Sequence, residues 1–250
     1  MKSNVKWTLE AAFLSLVMML AGAGAGRAST IDILPPETYI GGFGERVQLV
    51  SNNTSYVAQS FVAPAGSALD SVSFQLQSQA AALDNAADNV FRLLITETVG
   101  GTELLNPTLI RPSTVLFESA DLTMPLAGGT QLFVVNIGGL PLVGGSTYAF
   151  VLDAFVTADG LPGKSAVGAV AHDTNPLDNT SYNGGHFFSL NLTDAQLAQT
   201  RAQHFSAPWN DTPDHDIAFR AEFTAVPEPG SLALLASGLA ALLARRGVRR

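Results

Sequence analysis

Cysteine is absent from the 250 residues. That excludes disulfide staples, thiolate metal sites and cysteine nucleophiles together. Positive charge is scarce wherever the chain is not terminal. Between Ser29 and Ala225 the bases are Arg46, Arg92, Arg111, Lys164, Arg201 and Arg220, so six bases minus 19 acids gives a formal charge of −13, against −8 for the whole sequence. A body of that sign repels nucleic acid and anionic membrane, and it contains no basic stripe to offset the repulsion. Cations and neutral polymers are its natural partners.

Catalytic signatures are equally scarce. No Gly-x-Ser-x-Gly elbow occurs, no glycine pair leads into a Gly-Lys-Ser/Thr triplet, and no His-Glu-x-x-His helix is present. His172, His186, His204 and His215 stand in no triad order. Glycoside hydrolysis needs two carboxylates about 5–10 Å apart across a cleft. Glu97, Glu103, Glu118 and Glu222 are the candidates, but single glutamates on strands are ordinarily solvated. We assign no catalytic residue and read the chain as non-enzymatic, with an extracellular polysaccharide hydrolase as the alternative.

What the body does contain is alternation. Tyr56 to Val62, Leu69 to Leu76, Val90 to Thr96, Val115 to Phe117, Leu132 to Ile137, Tyr148 to Val156 and Ile217 to Phe223 place apolar side chains at near period-two spacing. Turn residues separate them: Pro64-Ala65-Gly66, Gly100-Gly101, Gly128-Gly129, Gly138-Gly139, Gly144-Gly145 and Gly184-Gly185. This pattern predicts about eight to ten strands in an all-β fold, a single antiparallel β-sandwich of jelly-roll-like form over residues 29–225. One helix is expected, from a capping box at Thr193-Asp194-Ala195-Gln196 through Gln203, crossing one end of the sandwich.

Two acidic, Asn-rich stretches read as loops: His172 to Asn179 with Tyr182 to His186, and Trp209 to Asp216. Calcium takes six to eight oxygens from carboxylates, amides and backbone, which such loops supply. Asp173, Asp178, Asp211, Asp214 and Asp216 are the candidate ligands, although their spacing is not that of an EF-hand, and turn chemistry alone also explains them. Tyr182, His186 and Trp209 lie in the same region. They are candidates for stacking on a sugar while Asn and Asp accept hydroxyl hydrogen bonds; Trp209 plugging one end of the core is the alternative.

The two ends of the chain differ from the body. Lys2 and Lys6, an apolar run from Ala11 to Ala25, and Gly26-Arg27-Ala28 compose a signal peptide over residues 1–28, expected as a helix. At the other end, Val226, Pro227, Glu228, Pro229 and Gly230 form an extended hinge. An apolar run from Ser231 to Ala244 follows, and then a basic terminus beginning Arg245-Arg246. A helix over that run would be apolar all round, and so buried or in lipid.

Residues 226–250 resemble the PEP-CTERM sorting signal of Gram-negative bacteria. The resemblance implies recognition by an exosortase, cleavage near the tripeptide, transient anchoring in the inner membrane, and delivery to the cell surface or an exopolysaccharide matrix. The body texts Ala58 to Pro64, Leu69 to Phe74, Leu140 to Val151 and Asp216 to Arg220 are loosely similar to the sandwich domains found ahead of such tails and to carbohydrate-binding modules. The sequence therefore reads as an exported surface or matrix protein, structural, adhesive or glycan-binding, with calcium as the one cofactor candidate. A cation-stabilised scaffold without ligand is a further reading.

Overall fold

The computed structural model describes residues 28–34, 38–44, 54–78, 90–100, 110–124, 129–154, 166–173, 182, 185–192, 196, 199–212 and 216–226. At 38–44, 54–55, 77–78, 166–173 and 211–212 it describes the backbone. The expected signal helix (1–28), the apolar carboxyl-terminal helix and all but the first residue of the motif Val226 to Gly230 lie outside the described residues.

The described chain is mostly antiparallel sheet, as the alternation requires. In order, the strands are β1 (Ser29–Asp32), β2 (Thr38–Gly44), β3 (Thr54–Val62), β4 (Ser67–Ser78), β5 (Val90–Val99), β6 (Arg111–Glu118) and β7 (Leu122–Thr123). They continue with β8 (Gly129–Pro141), β9 (Thr147–Asp153), β10 (Ala166–Asp173), β11 (Phe187–Asn191), β12 (Asn210–Thr212), β13 (Asp216–Ile217) and β14 (Phe219–Ala225). The sequence predicts fewer. It misses β1, β2, β7, β10, β11 and β12, and part of each stretch read as an acidic loop is strand.

Two sheets result. One follows the order β1-β14-β4-β10-β13, with β2 on β10 and β8 on β4; the other follows β12-β11-β3-β9-β5-β6, with β7 on β5. Strand β4 carries β8 along one edge, while β14 and then β10 share the other. The two sheets contribute to a single core. Leu69, Val72, Phe74, Phe219, Ala221 and Phe223 come from the first, and Val57, Phe61, Phe91, Leu93, Ile95 and Phe150 from the second. Rings meet between them, Phe150 to Phe219 at 5.0 Å and Phe61 to Phe223 at 6.1 Å between centroids. Each buried aromatic of this kind contributes roughly 1.5–3 kcal/mol relative to exposure.

The second sheet is also covered on its outer face. Tyr56, Ala58, Leu94, Ala149, Val151, Phe188 and Leu190 form a second cluster with Ile110, Leu192, Phe205 and Trp209. Two-sided burial explains why β9 reads Tyr148-Ala149-Phe150-Val151-Leu152 without a polar interruption: both faces of this strand are interior.

The cover is the helix α1 (Arg201–Ser206) and the segment after it. The expected run from Thr193 to Gln203 is not one unbroken helix: Gln196 is helical, 193–195 and 197–198 lie outside the described residues, and the chain is non-helical at Gln199 and Thr200. Thr200 is extended at φ −77° and ψ 156°, so the helix begins there, with a capping box between Thr200 and Gln203. Gln203 N–H donates to the Thr200 hydroxyl at 3.4 Å, and Thr200 N–H donates to Gln203 Oε1 at 2.8 Å. The Thr-x-x-Gln pattern of 193–196 recurs at 200–203, and both halves of this second box form. The helix lies over a sheet face, not across an end.

Gly138-Gly139 is likewise not a turn. Both residues sit inside β8 at φ +79° and +82°, where the register with β4 slips between Leu69 and Ser71. Two consecutive positive φ values make this bulge a place for glycine.

Candidate functional site

Three of the residues singled out in the sequence converge beside β3. Gln59, fully buried, donates from Nε2 to Asp216 Oδ1 at 2.7 Å, and its Oε1 accepts the Ile217 N–H at 2.9 Å. The other Asp216 oxygen accepts the Tyr182 N–H at 2.8 Å. The Tyr182 hydroxyl accepts the Val62 N–H at 3.0 Å, and its ring stands edge-on to Phe219. Burial raises the Tyr182 phenol above its usual pKa. His186 is tied through its backbone: its N–H donates to Ser60 Oγ at 2.7 Å, and its carbonyl accepts the Ser60 N–H at 2.9 Å. The arrangement seats Tyr182 and residues 185–187 beside β3. Gly185 allows the approach, since a Cβ there would lie 1.8 Å from the Ser60 carbonyl oxygen.

Asp216 is thus buried, at 2% exposure, with both carboxylate oxygens engaged by protein N–H donors. Of the other cation candidates, Asp173 is its register partner across β10 and β13. Asp211 lies in β12, on the second sheet. Asp178 and Asp214 are outside the described residues. Among the described residues, no group of three or more His, Asp or Glu converges.

Trp209 is elsewhere. At 1% exposure it is packed against Tyr56, Phe188 and Phe205, with its indole N–H donating to the His204 carbonyl at 3.3 Å. Its ring offers no open face to a sugar. The sequence reading of Trp209 as a stacking platform is corrected on that ground.

A polar constellation that sequence spacing did not signal surrounds α1. Tyr56 and Arg92 flank Asp153 in the register of β3, β9 and β5. Asp153 is fully buried, and Arg201 Nη2 lies 2.9 Å from its Oδ2. Arg201 also contacts Glu118 at 3.0 Å, and Arg92 joins Glu118 at 2.6 Å and Asp121 at 2.5 Å. Hydrogen bonding from Arg201, joined by Arg92, outweighs desolvation and holds the Glu118 carboxyl below its usual range. Burial lowers the Arg201 guanidinium, but Glu118 and Asp153 more than offset it, and the net direction is up. Five charges from β5, β6, β9, the β6–β7 connection and α1 are joined here, although their sequence positions span 110 residues. Only the local Thr200-x-x-Gln203 box could have pointed to the helix that carries Arg201.

The third feature is one end of the two sheets. The β3–β4 turn and the β8–β9 turn are bound to each other: Gly145 N–H donates to the Ala63 carbonyl at 2.8 Å, and Ala63 N–H to the Ser146 carbonyl at 3.0 Å. At Gly144, a Cβ would stand 2.5 Å from Ala65 Cα. Strand β14 finishes at this end with Ala225 opposite Ser67, and Val226 N–H donates to the Gly66 carbonyl at 2.9 Å. Val226 itself is 41% exposed. Pro227, Glu228, Pro229 and Gly230, with Arg245 and Arg246 further on, follow Val226, the last described residue at this end.

Residues 225–250 match the family model of the PEP-CTERM protein-sorting motif. The chain carries that motif, and the motif supports export and sorting to the cell surface through an exosortase. The match covers about a tenth of the chain and begins where β14 ends. No curated protein matches the chain.

Proposed function

We propose that this protein is a non-enzymatic structural or adhesive component of the cell surface or exopolysaccharide matrix. Its cargo is the body over residues 29–225, a jelly-roll-like sandwich. Residues 1–28 are its export signal, and residues 226–250 are a sorting segment that holds it transiently at the inner membrane until an exosortase cleaves it. The observation carrying this reading is the position of the sorting motif. The match starts at Ala225, the last residue of β14, and Pro227-Glu228-Pro229 lies beyond the strand, so cleavage near the tripeptide would release the hydrogen-bonded body without cutting into β14.

The geometry favours this reading over a polysaccharide hydrolase. A general acid needs a carboxyl pKa raised toward the working pH. Glu118 is shifted the other way by its two arginines, and Glu222 accepts a hydrogen bond from Ser71 on the outer face of the first sheet. Glycan binding, as the finer form of the proposal, falls on Tyr182 and His186, both half-buried, and not on Trp209. Calcium support, as a further form of the proposal, falls on Asp173 and Asp216, whose backbones are register partners in β10 and β13.

Glycan-array binding of the exported protein, with and without a chelator, tests the finer reading. Capture that is lost on chelation supports glycan binding with cation support. A fall in melting temperature on chelation without capture leaves a cation-stabilised scaffold. Turnover of a polysaccharide abolished by Glu118→Gln would overturn the non-enzymatic reading.

A further inference from the structure

Four of the large hydrophobic residues most open to solvent gather at the end from which the sorting segment departs. Val62 is 37% exposed, Val99 42%, Val143 68% and Val226 41%. Their proximity follows from the register. Val62 is opposite Thr147 at the start of β9, and Val99 is two residues beyond Glu97, the partner of Tyr148. Val143 lies in the turn bound to Ala63, and Val226 is bound to Gly66. Among the described residues, the two turns from Ala63 to Gly66 and Leu142 to Ser146, with these valines, contain no charged side chain; the charges that the register brings to this end are Arg111, the partner of Val99, and Glu97, the partner of Tyr148. The acids Asp32, Glu118 and Asp153 stand at the opposite ends of their strands.

We infer that this valine-bearing end rests on the lipid bilayer surface while the sorting segment is inserted. The inference relies on the proposed membrane anchoring and adds an orientation to it. From Val226 to Ser231, where the apolar run begins, five residue steps reach at most roughly 17 Å. The run from Ser231 to Ala244, as a helix, is about 21 Å long, against a hydrocarbon core of about 30 Å. A short span brings its flanking residues down to headgroup level, so little tether remains to hold the body away. The tether leaves from this end, so this end is the one held nearest the bilayer; its valines gain from burial there, while Glu97 and Arg111 stay at headgroup level.

The absence of native cysteine permits a direct test. Val143→Cys and, as control, Leu132→Cys on the outer face of β8 are each labelled with an environment-sensitive fluorophore in the full chain with its tail retained. The labelled proteins are then added to neutral phosphatidylcholine vesicles. The expected result is flotation of both with the vesicles, a blue shift and quenching by nitroxide lipid at position 143, and unchanged aqueous emission at position 132. A floating protein with an aqueous label at 143 overturns the inference and leaves the anchoring intact. A protein that does not float overturns the anchoring and the inference together. A blue shift at 143 that is the same without vesicles also overturns the inference, because protein then covers the patch.

Discussion

The Tyr56 hydroxyl and His204 Nδ1 meet at 2.9 Å, joining the middle of a buried strand to a helix 148 residues later. The other ring nitrogen lies 2.8 Å from the Gln196 carbonyl, which only accepts, so Nε2 carries the proton. In the neutral ring Nδ1 is then the acceptor and the Tyr56 hydroxyl donates. Burial reinforces this state, raising the Tyr56 phenol and lowering the His204 imidazole.

The pH dependence follows from that assignment. His204 titrates below its usual 6.5 in the folded protein, so beneath pH 6.5 the unfolded chain takes up a proton that the folded chain refuses. Stability is full above 6.5 and falls as pH drops from there through the folded value. Urea midpoints at pH 7.5 and 5 should differ in the native protein and converge in His204→Gln. Asp32, held below 3.8 by Arg220 despite its desolvation, loses its contribution only below that value, so the two windows separate. Equal pH slopes in native protein and variant would contradict the assignment.

Arg201 and Arg92 should differ in consequence although both bind Glu118. Arg201→Met takes a guanidinium from a fully buried Asp153 and is expected to cost about 3 kcal/mol. Arg92→Met removes part-exposed pairs and should cost about 0.2–1 kcal/mol, less in high salt. Denaturant titration of the two variants checks the ordering.

Gly185 and Gly145 are needed for different reasons. Gly185→Ala drives a methyl into the Ser60 carbonyl and should cost about 2–3 kcal/mol, with Tyr182 and residues 185–187 losing protection from hydrogen exchange. Gly145→Ala meets no atom within 4 Å but forces alanine to φ +79°, for about 1–2 kcal/mol.

Trp209 is the one tryptophan left once residues 1–28 are removed. Its emission should be blue-shifted in the native state, insensitive to added oligosaccharide, and red-shifted only on unfolding. A sugar-dependent change would return it to the binding surface.

Much of the sheet was legible because burial on one face writes a period of two. Leu69, Val72, Phe74 and Leu76 of β4 and Phe91, Leu93 and Ile95 of β5 all point into the core, as their spacing predicts. Strand β10 was not legible, since Ala166-Val-Gly-Ala-Val-Ala-His-Asp has little β propensity and ends in residues that favour loops. Strand β11 escaped because Phe187-Phe188 supplies one ring to each core, which removes the alternation. The Gln59–Asp216 pair and the Asp153–Arg201 pair were invisible for another reason: register brings them together, and no local spacing encodes it. Only the sorting segment could be read whole, because its hinge, apolar run and arginines are contiguous.

The central claim is that residues 226–250 are a sorting segment removed from an exported body. Mass spectrometry of the protein recovered from the surface and matrix of its native host tests it most directly. The account predicts a new amino terminus at Ser29 and a carboxyl terminus near Pro227-Glu228-Pro229. Intact Arg250 on soluble protein in the cytoplasm would contradict it.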